Sequence, residues 1–173
     1  FDKIARYMEL GYPGGPIVEK LALDGDPLSH SFPQPMLHQG YEFSFSGLKT
    51  AVIQTIDRER KNNTLNVENI CASFQHAVFS VLSKKIKKAC NDFGISNCVI
   101  TGGVAANQAL NHFLNKELTP LGYNCFVPSK INCTDNAAMI GLAAYHRFKL
   151  DENPVLSNYS AANLGSVNSG LSI

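Results

Sequence analysis

Four short motifs hold the residue types that could do chemistry. In Thr101-Gly102-Gly103-Val104-Ala105-Ala106-Asn107 a glycine pair separates an apolar run from an amphipathic stretch. Glycines let a ligand approach the backbone, and the free N–H groups of a helix start favour an anion or a polar ligand edge. Asn107, in the first turn, could aim its amide at the same spot. The same residues equally describe a plain strand-to-helix turn. In Cys133-Thr134-Asp135-Asn136, at a second helix start, Asp135 is either a cap and dipole partner or a metal ligand facing the crevice of an α/β sheet. One aspartate does not hold a metal alone, and no HxxxH or HExxH pair accompanies it. His30, His38, His76, His112 and His146 are scattered and read as ordinary surface or core histidines.

The third motif is Pro13-Gly14-Gly15-Pro16, with Asp2 one helix upstream. A glycine pair in a stiff turn could press backbone against a flat ligand while Asp2 holds two sugar hydroxyls. A tight helix–helix turn would look the same. The fourth, Phe45-Ser46-Gly47-Leu48-Lys49-Thr50, reads as a strand-to-helix turn with a polar lid. No residue stands out as a general base, so no catalytic residue is assigned.

The surrounding elements follow from periodicity. Helical spacing covers Phe1 to Leu10, and Pro16 can start a short helix over Ile17 to Leu23. Residues 25–40 read as a loop, Tyr41 to Phe45 as an alternating strand, and Leu48 to Ile56 as a helix. The longest helix is predicted from Val67 to Asp92, capped by Asn66, with Lys84, Lys85, Lys87 and Lys88 largely off its apolar stripe and so in solvent, and His76 on the surface. Strands at Cys98 to Thr101 and Asn124 to Val127 alternate with helices at Ala105 to Leu118 and Asp135 to Phe148. That order predicts an α/β architecture with neighbouring parallel strands. A globular domain over 1–150 and a weakly ordered Ser/Asn/Gly-rich tail over 151–173 complete the layout.

Composition narrows the class. The 173 residues are 45% hydrophobic and 17% charged, ordinary for a globular domain. A net charge of +1 does not advertise a nucleic-acid surface, and the basic clusters at Arg58, Arg60, Lys61 and at Lys84 to Lys88 read as solvated helix faces. Five cysteines, an odd number with no CxxC, fit buried reduced thiols and a cytoplasmic location. No apolar run is long enough for a membrane span. The chain opens at Phe1 without methionine and with helical periodicity under way, as expected of a segment of something longer.

Taken together, FDKIARYMELGYPGGP, FSFSGLKTAV, VITGGVAANQAL and CTDNAAMIG resemble, in order and spacing, the TsaD family, whose eukaryotic and archaeal members are the catalytic subunit of the KEOPS complex. An older name is O-sialoglycoprotein endopeptidase, or glycoprotease. The resemblance covers roughly residues 1–148. It implies the actin and sugar-kinase-like (ASKHA) α/β fold, here a C-terminal lobe with flanking helices. It implies transfer of a threonylcarbamoyl group from threonylcarbamoyl-AMP to the adenosine beside the anticodon of tRNA, with TsaB-like and TsaE-like partner subunits. The family's iron or zinc is held by two histidines of an HxxxH motif and by an aspartate matching Asp135. Its adenine nucleotide contacts match Asp2, Gly15 and Asn107. The HxxxH motif is absent, so the chain is expected to bind metal poorly and to be inactive alone.

Three rival readings stand beside this one. A sugar or acetate kinase of the same fold would share the strand–Gly-Gly–helix motif but should lack CTDN at this spacing. The protease of the older name needs a zinc-protease motif that is missing. A non-catalytic partner subunit would have no reason to keep Asp135 and Asn107.

Overall fold

The structure, a computed structural model, describes residues 1–37 and 39–150. His38 and the tail over 151–173 therefore lie outside the described residues. The chain divides into two compact units, Phe1–Thr134 and Asp135–Ile173. Besides four short 3-10 turns, the described elements are six α-helices and two strands: α1 (Asp2–Tyr7), α2 (Gly14–Leu21), α3 (Ser46–Asn62), α4 (Val67–Phe93), β1 (Asn97–Val99), α5 (Gln108–Leu118), β2 (Asn124–Phe126) and α6 (Ala137–Leu150). The first unit holds all of them except α6, which belongs to the second.

The first unit is assembled around α4. This helix is 27 residues long, and the Asn66 side chain caps it by accepting from the Asn69 N–H. Gly94, in the left-handed conformation, ends it, as glycine commonly does at that position. Its buried residues run round the helix rather than along one stripe: Ile70, Cys71, Phe74, Val78 and Val81 are joined by Ser73, Gln75, Ser80, Ser83 and Lys85. A helix buried on several sides must be central. Ile4 and Ala5 of α1, Val18 of α2, Leu48, Val52 and Ile56 of α3, and Leu110, Leu114 and Leu118 of α5 share one core with it.

The strands β1 and β2 pair in parallel, in the register Asn97↔Asn124, Cys98↔Cys125 and Val99↔Phe126. The strand–helix–strand order and the parallel direction agree with the α/β expectation. Val99 and Phe126 are exposed on one face, while Cys98 and Cys125 are half-buried on the other.

Several expectations are corrected. Tyr41 to Phe45 forms no strand; alternation supplies a pattern, but among the described residues no neighbouring strand supplies a ladder. Side chains hold the segment instead. Tyr41 donates to Asp92 at 2.8 Å and packs on Phe93, and Phe43 stacks on Phe45. The hydrogen bonds from Lys88 and Tyr41 hold the Asp92 carboxyl below its usual range. The following helix starts at Ser46 and runs to Asn62, longer at both ends than the apolar pattern suggested. Lys85 is not in solvent: it is buried, and its ammonium donates to the Gln39 and Gly40 carbonyls. His76 is half-buried, edge-on to Phe113. The first histidine also gains a partner, with His30 Nε2 2.7 Å from Glu59 Oε1.

Leu114 is 1% exposed within the shared core. Leu114→Ala should therefore lower unfolding free energy by about 2–5 kcal/mol, measured by urea denaturation. The exposed Leu121→Ala should change it by no more than about 0.5 kcal/mol.

Candidate functional site

A cavity of about 850 Å³ opens within the first unit, a volume suited to a small ligand. Asp2, Gly15, Gly103, Asn107 and Thr134 all line it, although more than a hundred positions separate the first from the last. Three of the motifs thus meet at one place. The fourth lies next door: Ser46 and Lys49 line a second cavity of about 590 Å³ that shares Phe1, Asp2 and Val104 with the first.

The Pro-Gly-Gly-Pro turn gives its two glycines different duties. Helix α2 starts at Gly14, earlier than Pro16, with Pro13 as its N-cap. The Asp2 carboxylate crosses from α1 and accepts from the Gly14 N–H at 2.8 Å. A Cβ on Gly14 would sit 2.6 Å from the Ala5 Cβ and 2.8 Å from the Asp2 Cα, so this glycine is required by the packing of α1 on α2. A Cβ on Gly15 would meet nothing within 4 Å. Gly15 leaves room on the cavity side rather than inside the protein.

At the second glycine pair, Gly102 has φ +88°, which favours glycine, and Gly103 opens a single 3-10 turn through Ala106. Helix α5 begins only at Gln108, so Asn107 is its N-cap and not a first-turn residue. Asn107 Oδ1 accepts from the Leu110 N–H at 2.8 Å, and its Nδ2 donates to Gln75 of α4 at 3.2 Å. Asn107 is nearly buried, with a relative exposure of 8%, and one amide hydrogen remains for a ligand.

One residue that the sequence reading passed over also lines this cavity. Glu19 of α2 reaches α5 and accepts from the Gln108 and Ala109 N–H groups at 2.7 and 3.2 Å. It lies four positions after Gly15, on the same helix face as the turn, and that spacing was the available signal. Glu19 also changes the chemistry expected here. The N–H groups at the start of α5 are not free for an anion, because a carboxylate already holds them; Asp2 does the same for α2. In each carboxylate one oxygen is committed. At these two helix starts the wall offers acceptors to hydroxyl donors, and Lys130 adds a cation to the same lining.

Asp135 belongs to the second unit and is exposed. It is not the cap of α6: Asn136 Oδ1 accepts from the Met139 N–H at 2.9 Å, which leaves the neighbouring carboxylate without that task. Among the described residues, no three His, Cys, Asp or Glu side chains gather closely enough to hold a metal ion. The donors described here do not by themselves fit the metal that the sequence resemblance implies, and no chemical step is derived through it. Nor is any helix among the described residues long and apolar enough to cross a membrane.

Comparison with known proteins identifies the family of the chain. The family model described as "TsaD: tRNA N6-adenosine threonylcarbamoyltransferase" matches residues 1–142. Curated relatives named tRNA N6-adenosine threonylcarbamoyltransferase are similar. The Christiangramia forsetii protein is 45% identical over 152 residues, 86% of this chain and 44% of the relative. The Thermotoga neapolitana protein is 44% identical over 150 residues, 86% and 45%. The Symbiobacterium thermophilum protein is 46% identical over 161 residues, 90% and 47%. The chain spans slightly less than half the length of these relatives.

The two glycines of the turn are separable by stability alone. Gly14→Ala should lower the unfolding midpoint, because its methyl meets Ala5 and the α1 backbone. Gly15→Ala should leave the midpoint unchanged or raise it, gaining up to about 1 kcal/mol of helix propensity at an open position. Equal losses in a thermal melt would mean that the cavity side of α2 is not open.

Proposed function

Since this chain belongs to the TsaD family, we propose that it supplies the nucleoside-holding wall of an enzyme that transfers a threonylcarbamoyl group from threonylcarbamoyl-AMP to adenosine in tRNA. The observation that carries the reading is the single cavity lined by Asp2, Gly15, Gly103 and Asn107. In this reading the fold is the C-terminal lobe of an actin and sugar-kinase-like (ASKHA) protein. The complete enzyme acts on tRNA beside its anticodon, with TsaB-like and TsaE-like subunits as partners.

The geometry supports a role for each residue. The uncommitted oxygens of Asp2 and Glu19 accept from the ribose hydroxyls, a match of donors to a carboxylate wall. Gly15 gives the flat base or sugar its approach, and Asn107 spends its remaining amide hydrogen on the same ligand. Their joint effect is positioning. The tRNA amine attacks the carbonyl carbon of the mixed anhydride, a C–N bond forms, the C–O bond to AMP breaks, and the amine loses a proton. Holding the AMP portion fixes where that carbonyl lies, and such placement is a large share of many rate enhancements. Asp135 is one donor to a metal ion, iron or zinc, completed by residues outside those described; when bound, the ion would supply charge stabilisation.

Two outcomes test this reading. In the complete protein, Asp135→Ala should abolish threonylcarbamoyl transfer to tRNA and strip the metal, read by elemental analysis. A fully active, metal-loaded variant would refute the Asp135 assignment. By calorimetry, the 173-residue chain should bind AMP weakly, and Gly15→Ala should weaken that further by at least tenfold without loss of stability. Unchanged affinity would remove Gly15 from the site.

A further inference from the structure

Three of the five cysteines, Cys90, Cys98 and Cys125, gather in space. Cys98 of β1 and Cys125 of β2 are in-register neighbours on the half-buried face of the parallel pair. Their thiols hydrogen-bond at 3.0 Å. Neighbouring strands lie roughly 4.8 Å apart, inside the range of about 4.4–6.8 Å that a disulfide spans between Cα atoms. The backbone is therefore already at bridging distance. A third thiol, that of Cys90 near the end of α4, is buried beside Cys98.

We propose that Cys98 and Cys125 are a redox modification site, closing to a reversible disulfide across β1 and β2 by exchange with a low-molecular-weight disulfide. One thiolate of the pair attacks a sulfur of the small disulfide, expelling one small thiol and leaving a mixed disulfide. The second cysteine gives up its proton and attacks the protein-side sulfur, expelling the other small thiol. One S–S bond is lost and one gained, and the pair's two protons leave on the two small thiols. Reduction by excess small thiol runs the same steps backward.

The place in the fold gives the bond its effect. Strand β1 leads into the Gly102–Asn107 turn, and β2 leads into the segment that carries Lys130, Ile131 and Thr134; both line the large cavity. A two-stranded sheet is a weak tie between those segments, and a covalent bond makes it a fixed one. Burial, with Cys125 beside it, pushes the Cys98 thiol up to about 12, and burial also raises Cys90. Cys98 therefore stays protonated at neutral pH, which slows its own attack on a small disulfide.

The test uses the full 173-residue chain in glutathione buffers of graded oxidation for several hours, then acid quench, alkylation and peptide mass mapping. The expected result is a Cys98–Cys125 crosslink that dithiothreitol reverses and that raises Tm by on the order of 10 °C. Cys98→Ser and Cys125→Ser should each abolish it, and Cys90→Ser should leave it intact. A Cys90–Cys98 bond as the main product would overturn the assignment. So would no crosslink in fully oxidised buffer, or a crosslink that forms equally in urea-unfolded chain. None of these readouts depends on nucleotide binding or on transfer activity.

Discussion

A helix surrounded on several sides cannot leave its polar side chains in water, and three of those in α4 find partners on the segments that surround it, while Ser83 is buried without one among the described residues. In α4 that requirement organises the first unit. Ser73 donates to the Asp26 carbonyl and accepts from the His30 N–H, fastening the loop after α2. Gln75 accepts from Asn107, fastening the turn before α5. Lys85 donates to the Gln39 and Gly40 carbonyls, fastening the loop before α3. Apolar contact gives these pieces their affinity for α4, and the buried polar atoms give them their register.

The cavity inherits this arrangement. Asn107 is aimed by α4 through Gln75 and by α5 through its own capping bond, so its side chain is fixed before any ligand arrives. Asp2 and Glu19 are likewise fixed by the backbone N–H groups they hold. A site built from residues that also cap helices is preorganised at no separate cost. The two carboxylates also occupy N–H groups at two helix starts, so acceptors rather than free donors stand there.

Local patterns were legible in the sequence wherever local physics decided the outcome. The span of α4, its Asn66 cap and the parallel strand pair followed from periodicity, capping chemistry and element order. Tyr41 to Phe45 did not, because alternation cannot say whether a partner strand exists. Lys85 did not, because its partners are carbonyls some 45 positions upstream. The two glycines of the turn were indistinguishable until the neighbours of each were known. Asn107 reads from sequence as a first-turn residue aimed at a ligand; the structure makes it the cap of α5 and also places it on the cavity wall. The cysteine pair was invisible for the reason that hides most contacts, since strand register is a property of three dimensions.

The central position of α4 also imposes an order of events during synthesis. Helices α1 and α2 have 6 and 8 residues, too short to persist alone in water. Their buried side chains, with Leu48, Val52 and Ile56 of α3, close on a surface that α4 provides. Until α4 has left the ribosome, everything from Phe1 to Asn66 is chain without a core. Its apolar residues wait for that surface, and the folding of the first unit turns on the emergence of a single helix.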